Sequence, residues 1–243
     1  MKSVTPCLLV LLALTGCSGG GGRDAAPEDT ANLDSGNGGG VSTALASINC
    51  DAAAGDLGNA LDQAGKEYLL CRHNQTRAEV AQGYFVAFAG PLPMATDMQR
   101  LQWDPLLAEV AQDWANQCRF EHNPDRSNQY QARGGAGYVG ENIATSSLAP
   151  LQLDGTYGVA GLYQAWIDEA AYWEFGELNT TDACYNEPCG HFTQVIWADT
   201  AKVGCAIAQC PAGVESRPQF KNMLVCNYST GGNYIGTAPY TTG

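Results

Sequence analysis

The pattern of apolar and polar positions separates a long region with packing signals from an N-terminal stretch with almost none. Asp104 is a suitable N-cap and Pro105 fits a first helical position. Leu107, Val110, Ala111, Trp114 and Cys118 then fall on one face, which predicts an amphipathic helix starting there. Val159, Leu162, Tyr163, Trp166, Ile167 and Ala170 repeat at helical spacing and predict another over 158–171. Residues 66–84 read as a first helix because they are good helix formers, although no clean apolar stripe runs along them. Two short apolar runs, 203–209 and 222–228, read as core strands. Loops containing Gly and Pro divide these pieces. The pattern therefore predicts an α+β domain, with helices packed on a small sheet.

Before this region the pattern changes. Lys2 is followed by an apolar run, 8–14, too short to cross a bilayer, and then by Leu14-Thr15-Gly16-Cys17. Residues 1–17 thus read as a signal peptide, and its end resembles the lipobox of bacterial lipoproteins. That resemblance implies that Cys17 becomes the first mature residue and is acylated, which anchors the chain to a membrane. Residues 18–47 are Gly-rich and acidic and read as a tether that cannot bury enough apolar surface to order itself. The folded domain is expected over 48–243. Ser18 after the lipidated cysteine fits the outer membrane of a Gram-negative cell, on its periplasmic or surface side. Without acylation the product is a secreted protein.

Composition narrows the function. The chain has 243 residues, 45% of them apolar and 15% charged, which suits a globular core. Its net charge is −13 and its twelve basic residues are scattered, so nucleic acid is not an expected partner. Ten cysteines are present; setting aside Cys7 in the leader and Cys17 at its end leaves eight. An even number in an exported chain implies a disulfide framework whose pairing the count leaves open. Zinc thiolate sites at Cys184/Cys189 or Cys205/Cys210 are the rival reading, which an oxidising compartment disfavours.

The longest local signal is Gly190-His191-Phe192-Thr193-Gln194-Val195-Ile196-Trp197-Ala198-Asp199-Thr200. Met223-Leu224-Val225-Cys226-Asn227-Tyr228, followed by Gly232-Asn233-Tyr234, is a second run. His73-Asn74 with Arg77, Cys118 with His122, Gly140-Glu141-Asn142-Ile143, and Trp166 with Glu169 precede them in order. Over about 66–236 this set resembles the CAP superfamily (cysteine-rich secretory proteins, antigen 5 and pathogenesis-related 1), also called the SCP domain. Thr230 departs from the second motif at a turn position. The resemblance implies a disulfide-stapled, three-layer α-β-α sandwich with a concave cleft lined by His122, Glu141, Glu169 and His191. It also implies the bridges Cys118–Cys210, Cys184–Cys189 and Cys205–Cys226, and exclusion then leaves Cys50–Cys71.

On their own terms, two converging imidazoles bind a divalent metal, zinc above all, and nearby carboxylates ligate it or orient the rings. Binding then weakens as pH falls and protons compete. The competing structural reading is a buried hydrogen-bond network that holds loops together. A metal-dependent ester or peptide hydrolase, with Glu141 or Glu169 as base, is the alternative function, and a structural scaffold at the cell envelope is a second. Only two histidines are in place, no His-Glu-x-x-His helix occurs, and Ser146 and Ser147 lack a nucleophile motif, so a binding module is favoured over an enzyme. Tyr172, Trp173, Phe175 and Tyr185 form an aromatic loop read as a groove for a small lipid or sterol-like ligand, with core packing as the alternative. His73 is expected in a core hydrogen-bonding role, and the protein is expected to act as a monomer.

Overall fold

The structure, a computed structural model, describes residue 50 and residues 57–87, 89–178, 189–215 and 217–243. The expected leader with Cys17, the tether, Cys184 and Tyr185 lie outside these residues. Along the chain run α1 (Gln63–Ala81), a small hairpin of β1 (Val86–Ala87) and β2 (Gly90–Pro91), β3 (Gln102–Trp103), α2 (Pro105–Ala115) and α3 (Arg126–Ala132). They are followed by β4 (Val139–Ser146), α4 (Val159–Asp168) with a 3-10 turn (Glu169–Tyr172), α5 (Gly190–Val195), β5 (Lys202–Gln209) and β6 (Asn222–Ser229).

The two runs read as core strands are the centre of the main sheet, whose order is β3-β5-β6-β4. β5 and β4 both pair antiparallel with β6, and β3 joins β5 in parallel. Every residue of β6 is buried, as expected of a strand covered on both faces. On one face Ala206, Ala208, Met223 and Val225 pack against Ala111, Trp114 and Ala115 of α2. On the other, Val203, Ile207, Leu224 and Tyr228 join Leu69, Tyr163, Trp166 and Phe192 from α1, α4 and α5. The fold is therefore the three-layer α-β-α sandwich.

Local chemistry explains the boundaries. Asp104 caps α2 by accepting from the amides of Leu106 and Leu107, while its other oxygen accepts from Tyr130 Oη at 2.8 Å and pairs with Lys202 Nζ at 3.1 Å. Gly204 of β5 lies directly under this first turn, where a Cβ would collide with the backbone of Asp104 and Ala108. α1 starts earlier than the predicted residue 66, because Asp62 caps it through the Gly65 amide at 2.7 Å. It stops at Ala81 rather than 84, and Gly83, at φ 70°, carries the chain away.

α1 lacks an apolar stripe because its inward face is polar. His73, Asn74, Thr76 and Arg77 are all buried. Asn74 exchanges two hydrogen bonds with the backbone of Leu101, a paired contact that holds the approach to β3. The guanidinium of Arg77 donates to five carbonyls: Gln99, Val195, Trp197, Ala198 and Thr200, at 2.7 to 3.2 Å. Burial lowers its pKa to about 10, and it remains charged at neutral pH. One side chain thus fixes the whole turn after α5.

Three bridges are described: Cys50–Cys71, Cys118–Cys210 and Cys205–Cys226. The last joins directly opposed residues of β5 and β6. Cys189 is also disulfide-bonded.

Candidate functional site

Each of the four expected cleft residues is found in a His–Glu pair. His122 follows α2 in a loop tied down at both ends. Trp114 Nε1 donates to the Glu121 carbonyl at 2.8 Å, and the Cys118–Cys210 bridge holds the base. His122 Nδ1 donates to Glu141 Oε1 at 2.9 Å, and the Asn123 amide donates to the same oxygen at 2.9 Å. The Glu141 side chain is fully buried, whereas that of His122 is 59% exposed. A bond to a carboxylate makes Nδ1 the protonated nitrogen and leaves Nε2 with a free lone pair. Glu141 Oε2 is buried and has no hydrogen-bond partner among the described residues.

The second pair is built differently. Glu169 opens the 3-10 turn after α4, and its carboxylate caps α5. Oε2 accepts from the amides of His191 at 2.8 Å and Phe192 at 3.2 Å, while Oε1 accepts from His191 Nδ1 at 2.6 Å. The imidazole stacks on Trp166 with ring centroids 5.8 Å apart and planes 15° apart. Here too Nδ1 is the donor, and Nε2 of a side chain 31% exposed has no hydrogen-bond partner among the described residues.

The edge strand connects the pairs. Glu141 and Asn142 are consecutive in β4, so they point to opposite faces of the sheet. Glu141 carries the His122 pair on the α2 side. Asn142 Nδ2 donates to the carbonyl of His191 on the other, at 3.1 Å. Because β4 is the outermost strand, the two arrangements flank one free edge. Gly140 permits this, since a Cβ there would strike the Gln194 side chain of α5. Among the described residues no group of three or more His, Cys, Asp and Glu is arranged to hold a metal ion. The donor set on offer is therefore two imidazole nitrogens, with both carboxylates engaged in orienting them.

The expected aromatic groove does not open as a row of exposed rings. Trp173 is 2% exposed and packs between Phe175 and Phe192, and Phe175 packs on Tyr240. Tyr172 stands apart at 50% exposure. Alternation of aromatic and polar residues after a helix does not distinguish a groove wall from a core plug, and burial of the indole makes Trp173 a plug. A groove missed by sequence reasoning lies between α1 and α4, with a volume of about 550 Å³. Phe85, Val86, Ile167, Ala170 and Ala171 give it an apolar side. Arg72 stands at the polar side with Glu79 and Asp168, and among the described residues it is bonded only to the neutral amides of Gln75 and Gln164, with its Nε buried and unpartnered. Ser146 is occupied in a turn, donating to the Tyr157 carbonyl at 2.6 Å.

This combination of sandwich, bridges and His–Glu pairs points to a family. The model of the cysteine-rich secretory protein family, CAP, matches residues 70–228, and the chain belongs to it. It is 35% identical over 171 residues to GLIPR1-like protein 1 of Mus musculus, covering 70% of this chain and 61% of that protein. The chain thus spans about three fifths of the GLIPR1-like relatives it matches. Venom allergen 5 of Polybia scutellaris rioplatensis is 35% identical over 206 residues, covering 83% of this chain and 90% of that one. Among solved structures, that of NaASP2 with Zn²⁺ superposes with a TM-score of 0.62 at 28% identity, covering 78% of this chain and 91% of that one.

Proposed function

We propose that this chain is an exported, membrane-anchored binding module whose cleft takes a divalent transition metal through Nε2 of His122 and Nε2 of His191. The observation that carries this reading is that both imidazoles are oriented at Nδ1 by a buried glutamate, the arrangement that fixes a metal-ligating tautomer. A bound ion supplies positive charge and Lewis acidity at the edge of β4. The chain would supply two oriented nitrogens and, in Glu141 Oε2, which has no hydrogen-bond partner among the described residues, a further acceptor. Crystallisation of NaASP2 with zinc supports the choice of metal. Hydrolytic zinc sites usually use three protein ligands, and the two imidazoles here favour binding over the hydrolase alternative. The test is a calorimetric zinc titration at neutral and mildly acidic pH. Binding is expected at neutral pH, about tenfold or more weaker in acid, and abolished in His122→Ala and His191→Ala. Equal affinity at both pH values, or in the alanine variants, contradicts the reading.

The groove between α1 and α4 favours a second ligand, small and lipid-like. Its apolar side matches an acyl or ring system, and its polar side, where Arg72 pairs with no carboxylate among the described residues but stands beside Glu79 and Asp168, matches one small acidic or polar head. Displacement of a fluorescent fatty acid from the protein tests it. Ala171→Trp, which fills the groove, is expected to abolish displacement; unchanged binding in that variant rejects the site. Membrane attachment is tested by mass spectrometry of the mature N-terminus, where acylated Cys17 is expected.

A further inference from the structure

A polar chain crosses the apolar core between α1 and the cleft. His73 Nδ1 lies 2.7 Å from the Leu69 carbonyl, and its Nε2 lies 2.9 Å from Tyr228 Oη. Tyr228 Oη in turn lies 3.1 Å from Asn142 Nδ2, which also reaches the His191 carbonyl at 3.1 Å. His73, Tyr228 and Asn142 are all buried. The direction of every hydrogen in this chain is determined. A carbonyl accepts only, so His73 Nδ1 must donate to Leu69, and a neutral ring then has an accepting Nε2. Tyr228 must therefore donate its hydroxyl hydrogen to His73. Its oxygen is left to accept one hydrogen of the Asn142 amide, whose other hydrogen goes to His191.

We infer that His73, Tyr228 and Asn142 form a one-directional relay that positions His191, and that the relay holds only while His73 is neutral. A second proton on His73 would turn Nε2 into a donor facing a donor. Tyr228 would have to accept from both neighbours, and its own hydrogen would be left without an acceptor in the core. The backbone at His191 would then lose the Asn142 anchor as the amide readjusts. The groups facing the ring explain why it stays neutral at ordinary pH. Arg77 lies one turn along α1, the Tyr163 ring of α4 stands edge-on at 4.8 Å, and Tyr228 approaches from β6. None of them is a carboxylate. Burial, reinforced by Arg77, brings the His73 pKa down to about 4 even though the Leu69 carbonyl favours the charged form. Burial likewise holds the Tyr228 phenol protonated.

The significance of the relay rests on the cleft reading above, but its test does not use a metal. Full-length protein labelled at histidine is titrated by NMR with near-UV circular dichroism alongside. The His191 resonances are expected to show a step that coincides with the titration of His73. In Tyr228→Phe that step is expected to vanish while the near-UV signal of the folded protein remains. A folded wild type without the step, or a variant that keeps it, overturns the relay. Since acid can unfold the chain over the same range, hydrogen exchange at neutral pH provides the second readout. Tyr228→Phe is expected to speed exchange of the Asn142 side-chain amide and the 190–195 backbone amides about tenfold or more, with the central amides of β6 unchanged. Uniform acceleration, or none, overturns it. If the relay passes and wild-type protein takes up no zinc, the proposed metal function fails and the positioning role stands.

Discussion

Replacing Arg77 with lysine separates the geometry of a buried cation from its charge. The guanidinium has five N–H donors in a fixed fork and satisfies five backbone carbonyls, from Gln99 on one side to Thr200 on the other. An ammonium has three donors at a single point, so at least two carbonyls lose their partner. At roughly 1.5–3 kcal/mol for each charge-assisted bond lost in a buried setting, Arg77→Lys should cost about 4 kcal/mol. For a domain of this size that lowers the thermal midpoint by about 10 °C. The damage should be local first, because four of the five carbonyls lie at the last residue of α5, the helix that carries His191, and in the turn after it. Chemical denaturation under oxidising conditions, followed by tryptophan fluorescence, gives the total. Hydrogen exchange over 195–200 gives the location. A lysine variant within about 1 kcal/mol of wild type, with that turn equally protected, would refute the idea that the fork organises it.

Other consequences follow from the same contacts. His73 binds its extra proton less readily in the folded chain than in the unfolded one, where its pKa is about 6.5. The unfolded state therefore takes up more protons between about 6.5 and 4, and stability falls as pH drops through that window, by up to about 3 kcal/mol at its lower end. Denaturation midpoints across that range should show the loss, and a flat profile in His73→Leu assigns it. Asp104→Ala removes the cap of α2 and the carboxylate that accepts the Tyr130 hydroxyl hydrogen, which should cost about 2 kcal/mol in urea titrations. Removal of the Cys118–Cys210 bridge, whose partners are 92 residues apart, should cost about 4 to 5 kcal/mol by the chain-entropy model. Loss of the Cys205–Cys226 bridge, with a separation of 21, should cost about 3 kcal/mol.

What the sequence shows plainly is what burial shows plainly. α2 and α4 carry apolar faces that meet the sheet, and β5 and β6 are apolar runs because both of their faces are covered. The motif resemblance added the sandwich and brought His122, Glu141, Glu169 and His191 into one frame. β4 escaped strand detection because Glu141, Asn142, Thr145 and Ser146 interrupt any apolar alternation. Those residues are polar because the strand forms the edge from which the site is built. α5 escaped because six residues give no periodicity, and its start is stabilised by a carboxylate 22 residues upstream. The polar inner face of α1 hid both its amphipathicity and its role, since nothing local announces that His73 and Arg77 find partners on distant strands and turns. Trp173 shows the converse problem: an aromatic residue near a site reads as ligand-binding until its burial is known.

The central claim is that two imidazoles, each aimed by a buried glutamate, offer their Nε2 atoms to one ion at the edge of β4. Anomalous diffraction at the zinc edge, from crystals of the protein soaked in zinc, addresses it directly. The account predicts a peak within bonding distance of Nε2 on both His122 and His191, with both Nδ1–carboxylate contacts retained. A peak bound to only one of these histidines, or to the glutamate oxygens in place of the rings, would contradict it.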